Sequence, residues 1–261
     1  MFELERLKVA LSVQPTSAAK EKWYFCEPDN LSAVVDPLDR LKLFFKRHPR
    51  FYYFLMHVVS PVWINPFVRQ NFLKNSTGVV LNIGSGNEPS EANVINVDMM
   101  DYDNVDIVCD IHQLPFKDNS VDAVMNIAVL EHVKEPQAVV KEIYRVLKPG
   151  GRVLSVVPFV YPFHASPEDY QRYSLPGIEY LHRDFQLVES GVCSGPVSGL
   201  MCVAQEFAAS VLSLGVPWLY KGLTIAMMLL TWPLKFLDPL VVKLPTAKNV
   251  AATLYFVGKK P

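Results

Sequence analysis

Cysteine is scarce and scattered. The four thiols, Cys26, Cys109, Cys193 and Cys202, nowhere form a Cys-x-x-Cys pair. That spacing excludes a zinc cluster of the finger type and makes a poor disulfide framework, so a reducing, cytoplasmic setting is expected. Net charge is nearly absent too. The 25 basic and 26 acidic residues leave a formal charge of −1, which argues against a protein that coats nucleic acid. Internal repeats and low-complexity tracts are lacking. The opening MFELERLKVA has no apolar centre, and no secretory leader is expected. With 261 residues, half of them hydrophobic, disorder is excluded and one large domain, or one with an appendage, is implied.

Clean membrane spans are also missing. Residues 51–68 carry no charge, but Pro61, Asn65 and Pro66 interrupt them. Residues 207–242 are interrupted by Lys221, Lys235 and Asp238. Surface-lying or buried helices suit both stretches better than spans. The charge that exists is unevenly placed. Arg40 to Lys74 holds seven bases and no acid, and Glu91 to Asp122 holds eight acids and one base. In the first of these segments Arg40, Lys42, Lys46, Arg47 and Arg50 adjoin Phe44, Phe45, Phe51 and Tyr52, a mixture suited to anionic headgroups. The alternative is that both greasy ends fold over the site as a lid.

Strand signals begin at VVLNI (79–83), which runs into GSGN. VINV (94–97) ends in Asp98, VDIVCD (105–110) ends in Asp110, and VDAVMNI (121–127) and RVLSVV (152–157) follow. Between the last two, Val139, Val140, Ile143, Val146 and Leu147 mark one helical stripe, with Pro136 in its first turn and Pro149-Gly150 beyond it. Strands alternating with a helix predict an α/β fold with a doubly wound, mostly parallel sheet. ATLYFVG (252–258) is expected to close the sheet as an antiparallel edge strand. Residues 36–74 read as helices. The organisation expected is a helical extension over 1–75, a core over 76–196, and an apolar helical insertion with a final strand over 197–261.

In such sheets ligands lie beyond the carboxyl ends of the strands. Gly84 and Gly86 remove side chains where the backbone must turn sharply and approach a ligand, and Asn87 stands where a third glycine often sits. Asp98 is placed to accept ribose hydroxyl hydrogen bonds, and Asp110 suits an adenine amino group. A nicotinamide dinucleotide fits less well. Asp98 follows Gly84 by 14 residues rather than about 20, and NEPSEAN is a loop, not the helix N-terminus that would hold a pyrophosphate. A nucleoside ligand without phosphates fits better.

These residues resemble class I S-adenosylmethionine-dependent methyltransferases of the type 11 kind. VVLNIGSGNEP resembles motif I of that family. CDIHQLPFKDNSVDAVMNIAVLEHVKEPQAVVKEIYRVLKPGGRVL is similar to its D-x-x-x-LPF, LEH-V and RVLKPGG series. PFHASPEDYQRYSLPGIEYL resembles a segment found in relatives from polysaccharide and glycolipid pathways. The resemblance implies a Rossmann-like methyltransferase sheet and S-adenosylmethionine as cofactor, with no metal. It places Asn82, Gly84 and Gly86 around the methionine part of the cofactor, Asp98 at the ribose with Met99 beside the adenine, Asp110 and Ile111 at the adenine edge, and Asn126 beneath the sulfonium. Asn82 replaces the commoner acid.

Methyl transfer to a hydroxyl benefits from a base, and His132 and His164 are the candidates, with Asp169 in the His164 loop completing the expected catalytic group. His132 can equally pack the following helix, and His164 can pair with Asp169 to hold a lid. The function expected is methylation of a hydroxyl or carboxyl on a glycan, lipid-linked or other small-molecule acceptor, without nucleic acid. It is expected in the cytoplasm, with peripheral contact at the inner face of the membrane. The alternative is a methyltransferase-fold scaffold that binds the cofactor without turnover.

Overall fold

The computed structural model describes residues 10–19, 22–28, 60–76, 78–164 and 168–261. Among these, nine strands form one sheet: β1 (Ser17–Ala19), β2 (Lys22–Tyr24), β3 (Val80–Ile83), β4 (Val94–Asp98), β5 (Ile107–Val108), β6 (Val121–Ile127), β7 (Leu147–Pro158), β8 (Gln186–Ser194) and β9 (Thr253–Lys259). Their order is β1-β2-β5-β4-β3-β6-β7-β9-β8. From β2 to β7 the pairings are parallel, while β1–β2, β7–β9 and β9–β8 are antiparallel. The chain therefore has the Rossmann-like methyltransferase fold, a mostly parallel sheet with antiparallel strands at both edges.

β3 and β6 are mostly apolar, interrupted by Asn82, Asp122 and Asn126, and almost wholly buried, as strands covered on both faces are. One face of the sheet buries Leu81, Ile83 and Val124 against α2 (Pro136–Val146), whose stripe of Val139, Val140, Ile143 and Val146 lies inward. Ile178 of α3 (Leu175–Leu181) joins this face. The other face packs Val80, Met125 and Leu154 against Phe72 of α1 (Pro66–Lys74), a helix capped by Asn65, whose side chain accepts from the Phe67 N–H.

Beyond β8 the chain forms a helical hairpin. It consists of α4 (Pro196–Leu212), α5 (Pro217–Thr231), a 3-10 turn (Trp232–Leu237) and α6 (Asp238–Val241). Its far end returns to its start. The buried Asp238 carboxylate accepts from the backbone N–H groups of Val197 and Ser198 at 2.9 and 3.0 Å, and from the Ser198 hydroxyl. An acid there satisfies the orphan donors of the α4 N-terminus.

Three expectations are corrected. β9 is not an edge strand: its run is buried because it lies between β7 and β8, and β8 takes the edge. Residues 10–28 contribute the β1–β2 pair, and Trp23 and Tyr24 register with Ile107 and Val108. Residues 60–65 are not helical and α1 begins at Pro66, so 51–68 is not one continuous helix. Most of the basic, aromatic segment, 40–59, lies outside the described residues. The loop expected between β3 and β4 is present, with no helix in it.

Candidate active site

The turn after β3 holds two glycines at positive φ, Gly84 at 66° and Gly86 at 57°. They do different work. A Cβ on Gly84 would sit 2.6 Å from a Val129 methyl, so Gly84 lets the loop after β6 close against this turn. A Cβ on Gly86 would meet nothing within 4 Å, so Gly86 faces open space at the strand ends. The Gly86 N–H donates to Asp98 at 2.7 Å, and the Met100 N–H donates to the other oxygen of Asp98 at 2.9 Å. Each carboxylate oxygen keeps lone-pair capacity for a ligand hydroxyl.

With no helix after β3, side-chain amides hold the loop. Asn82 is buried, and its Nδ2 donates to Glu88 at 2.9 Å and to Asn96 at 3.0 Å. Asn96 donates to the carbonyls of Glu88 and Asn104, and Asn104 donates to Asn87. Burial pushes the Glu88 carboxyl up, with Arg69 and Asn82 opposing. Glu88, a residue not anticipated in the sequence, thus brings a carboxylate against Asn82.

Met99 is exposed beside Asp98, and Ile111 is buried beyond β5. Asp110 accepts from the N–H and Nδ1 of His112, both on one oxygen. Asn126, at the end of β6, is fully buried. Its amide donates to Ser155 at 2.8 Å, and its Oδ1 has no partner. The structure therefore brings Gly84, Gly86, Asp98 and Met99 to one edge, with Asp110 and Ile111 one strand further on. Open space at Gly86 and the free lone pairs of Asp98 fit a nucleoside cofactor.

Beside this edge lies an apolar cavity of about 180 Å³, lined by Val62, Ile64, Ile127, Val156 and Cys193 among others. Ala128 stands at it with φ 55°, a left-handed conformation that costs energy in a non-glycine residue. Segment 60–64 roofs the cavity. It is pinned by the Trp63 N–H to the Ser198 hydroxyl, and by Lys235 Nζ to the Ser60 carbonyl.

The polar end of the cavity is Glu131 and His164, with His132 adjacent. The rings of His132 and His164 lie 4.8 Å apart. His132 Nδ1 donates to the Glu168 carbonyl, and its Nε2 lies 3.8 Å from Glu131 Oε1. Desolvation, seconded by His132, lowers the His164 imidazole. Glu131 is wholly buried, and burial pushes its carboxyl up to about 7. It escaped the sequence reading because an acid in a turn looks like a solvated charge. Asp169 lies in the same loop as His164. Its oxygens pair with the Arg172 guanidinium and accept the His164 backbone N–H at 2.8 Å, and Arg172 holds it far below the usual carboxylate range. It positions the His164 loop.

Residues 84–155 match the family model described as a methyltransferase domain. Residues 84–155 are thus the methyltransferase-domain part of the core. S-adenosylmethionine is its cofactor. Over 75 residues the chain is 43% identical to the ubiquinone/menaquinone biosynthesis C-methyltransferase UbiE of Desulfotalea psychrophila, covering 26% of this chain and 29% of that one. Over 87 residues it is 37% identical to the demethylmenaquinone methyltransferase of Streptomyces avermitilis, covering 33% and 35%. The chain thus spans about a third of the length of these two curated relatives. Among solved structures, phosphoethanolamine N-methyltransferase 2 of Haemonchus contortus, in complex with S-adenosyl-L-methionine, aligns with 74% of this chain and 51% of its own. It shares 21% identity at a TM-score of 0.47.

Proposed function

We propose that the chain transfers a methyl group from S-adenosylmethionine to a hydroxyl or carboxyl oxygen of an apolar, lipid-linked acceptor such as a glycolipid intermediate. The observation that carries this reading is the cavity beside the cofactor edge, with mostly apolar walls, a few hydroxyls (Ser60, Tyr161, Ser194, Thr253), and its ionisable groups, Glu131 and His164, at one end. The cofactor's sulfonium supplies an activated methyl group. The chain's own part is to hold the acceptor in line, an effect worth roughly 7–11 kcal/mol at best, and to manage the acceptor's proton. The Glu131–His132–His164 cluster performs the second task, with Asp169 and Arg172 holding the loop that carries His164. The outward apolar surface of α4 and α5 supports peripheral docking at a bilayer, where such an acceptor resides.

The test is turnover with methyl-labelled cofactor, offered a membrane lipid extract and, separately, an aqueous glycan extract. Label is expected in an organic-soluble product. Label only in a water-soluble product would contradict the apolar acceptor. Cofactor binding with no transfer to either extract would mean a scaffold that has lost turnover. Methylation at carbon in the organic product would favour a quinone-like acceptor, the class in the names of the curated relatives.

A further inference from the structure

Three potential ligand atoms converge at the polar end of the cavity with nothing between them. One carboxylate oxygen of Glu131, one nitrogen of His132 and one of His164 all lie within 4.8 Å of one another. Glu131 has no solvent exposure, and neither of its oxygens has a partner in hydrogen-bonding geometry. His164 Nδ1 is buried and has no hydrogen bond, with Asp169 Oδ2 3.6 Å away. His132 is oriented by its Nδ1–H on the Glu168 carbonyl, which turns Nε2 toward Glu131, 3.8 Å from its Oε1.

A buried carboxylate is costly, and the Arg172 guanidinium, hydrogen-bonded elsewhere, only partly offsets that cost. Arg172 donates to Asp169 and to the carbonyls of Tyr161, Pro162 and Gln171. Two imidazoles with one carboxylate form a ligand set suited to divalent first-row transition metals. A metal-binding imidazole characteristically donates its other N–H to a carbonyl or carboxylate, as His132 does. Asp169 fixes the third ligand's loop through the His164 backbone.

We propose that Glu131, His132 and His164 form a binding site for one divalent transition-metal ion. Three protein ligands leave a further position for water or substrate, as catalytic sites of this type do. Glu131 and His164 line the cavity, so that position is reached from it. Resting on the methyl-transfer reading, an acceptor hydroxyl bound there would have its pKa lowered by the metal, so that its proton would leave to solvent and the three ligands would hold the metal rather than act as the base.

The test needs no acceptor. Metal-free protein is titrated with Co²⁺ and followed by visible absorption, with Zn²⁺ in competition by calorimetry. One equivalent should bind to the wild type with ligand-field bands, and Zn²⁺ should displace it. Glu131→Gln and, separately, His164→Asn should each weaken binding by at least about tenfold to a hundredfold. Cofactor affinity should stay unchanged in both, which shows that the variants are folded. His164 is partly exposed, so His164→Asn keeps the test valid if Glu131→Gln fails to fold. Absence of stoichiometric binding by the wild type, or unaltered affinity in a folded variant, would overturn the site and leave the methyl-transfer reading standing.

Discussion

His182 has no exposed surface, yet both of its ring nitrogens are used. Nδ1–H donates to the Ile178 carbonyl at 3.0 Å, so Nε2 accepts the Ser155 hydroxyl at 2.9 Å, and Ser155 in turn accepts from Asn126. The relay ties α3 to the ends of β6 and β7. Burial lowers this imidazole to about 4, against 6.5 for an ordinary histidine. The unfolded chain therefore takes up the proton first. The contribution to stability is complete above pH 6.5 and is lost as pH falls from 6.5 toward 4. Between pH 7 and pH 5 this residue should account for about 2 kcal/mol of lost stability. Denaturant unfolding at both values should show a wild-type loss larger by about that amount than in His182→Gln. Equal losses would mean that the folded protein already carries the proton.

At the scale of elements, the hairpin of α4 and α5 stands out. α5 buries no residue, and Phe207, Leu214, Trp218 and Leu230 are all more than 60% exposed. Residues Pro217–Val241 are long and apolar enough to cross a membrane. Crossing would carry Lys235 and Asp238 into hydrocarbon and break their bonds to Ser60 and to the α4 N-terminus. A hairpin lying in the interface keeps those bonds. The wild type should float with anionic liposomes at low salt and bind more weakly, but measurably, at high salt, because apolar insertion is not screened. Leu214→Glu with Trp218→Glu should abolish flotation. A wild-type protein that stays soluble would return the hairpin to the role of lid. The apolar pattern of this segment is plain in the sequence, but its exposure is not, since a buried hairpin has the same composition. β1 and β2 were illegible for another reason: three-residue strands are too short to show a period. The run at 253–259 carried its own correction, because an unbroken apolar stretch, buried from Leu254 to Gly258, belongs to an interior strand.

For the molecule as a whole, the sheet was legible because continuous β-branched runs end in glycine or aspartate, and those ends are where the site forms. Glu131 and Glu88 were not legible. Their burial comes from residues distant in the chain, such as the Asp169–Arg172 loop and the Asn82–Asn96 amides. Everything downstream depends on the cofactor lying across the ends of β3 and β4, held by Asp98. Calorimetric titration with S-adenosylmethionine tests this directly. One molecule should bind per chain, and Asp98→Ala should weaken binding by about 1–3 kcal/mol, roughly five- to 150-fold, through loss of a charged acceptor. Asp98→Asn, which keeps the shape, serves as the folded control and should fall between the two. No binding by the wild type, or equal affinity in folded Asp98→Ala, would contradict the placement of the cofactor.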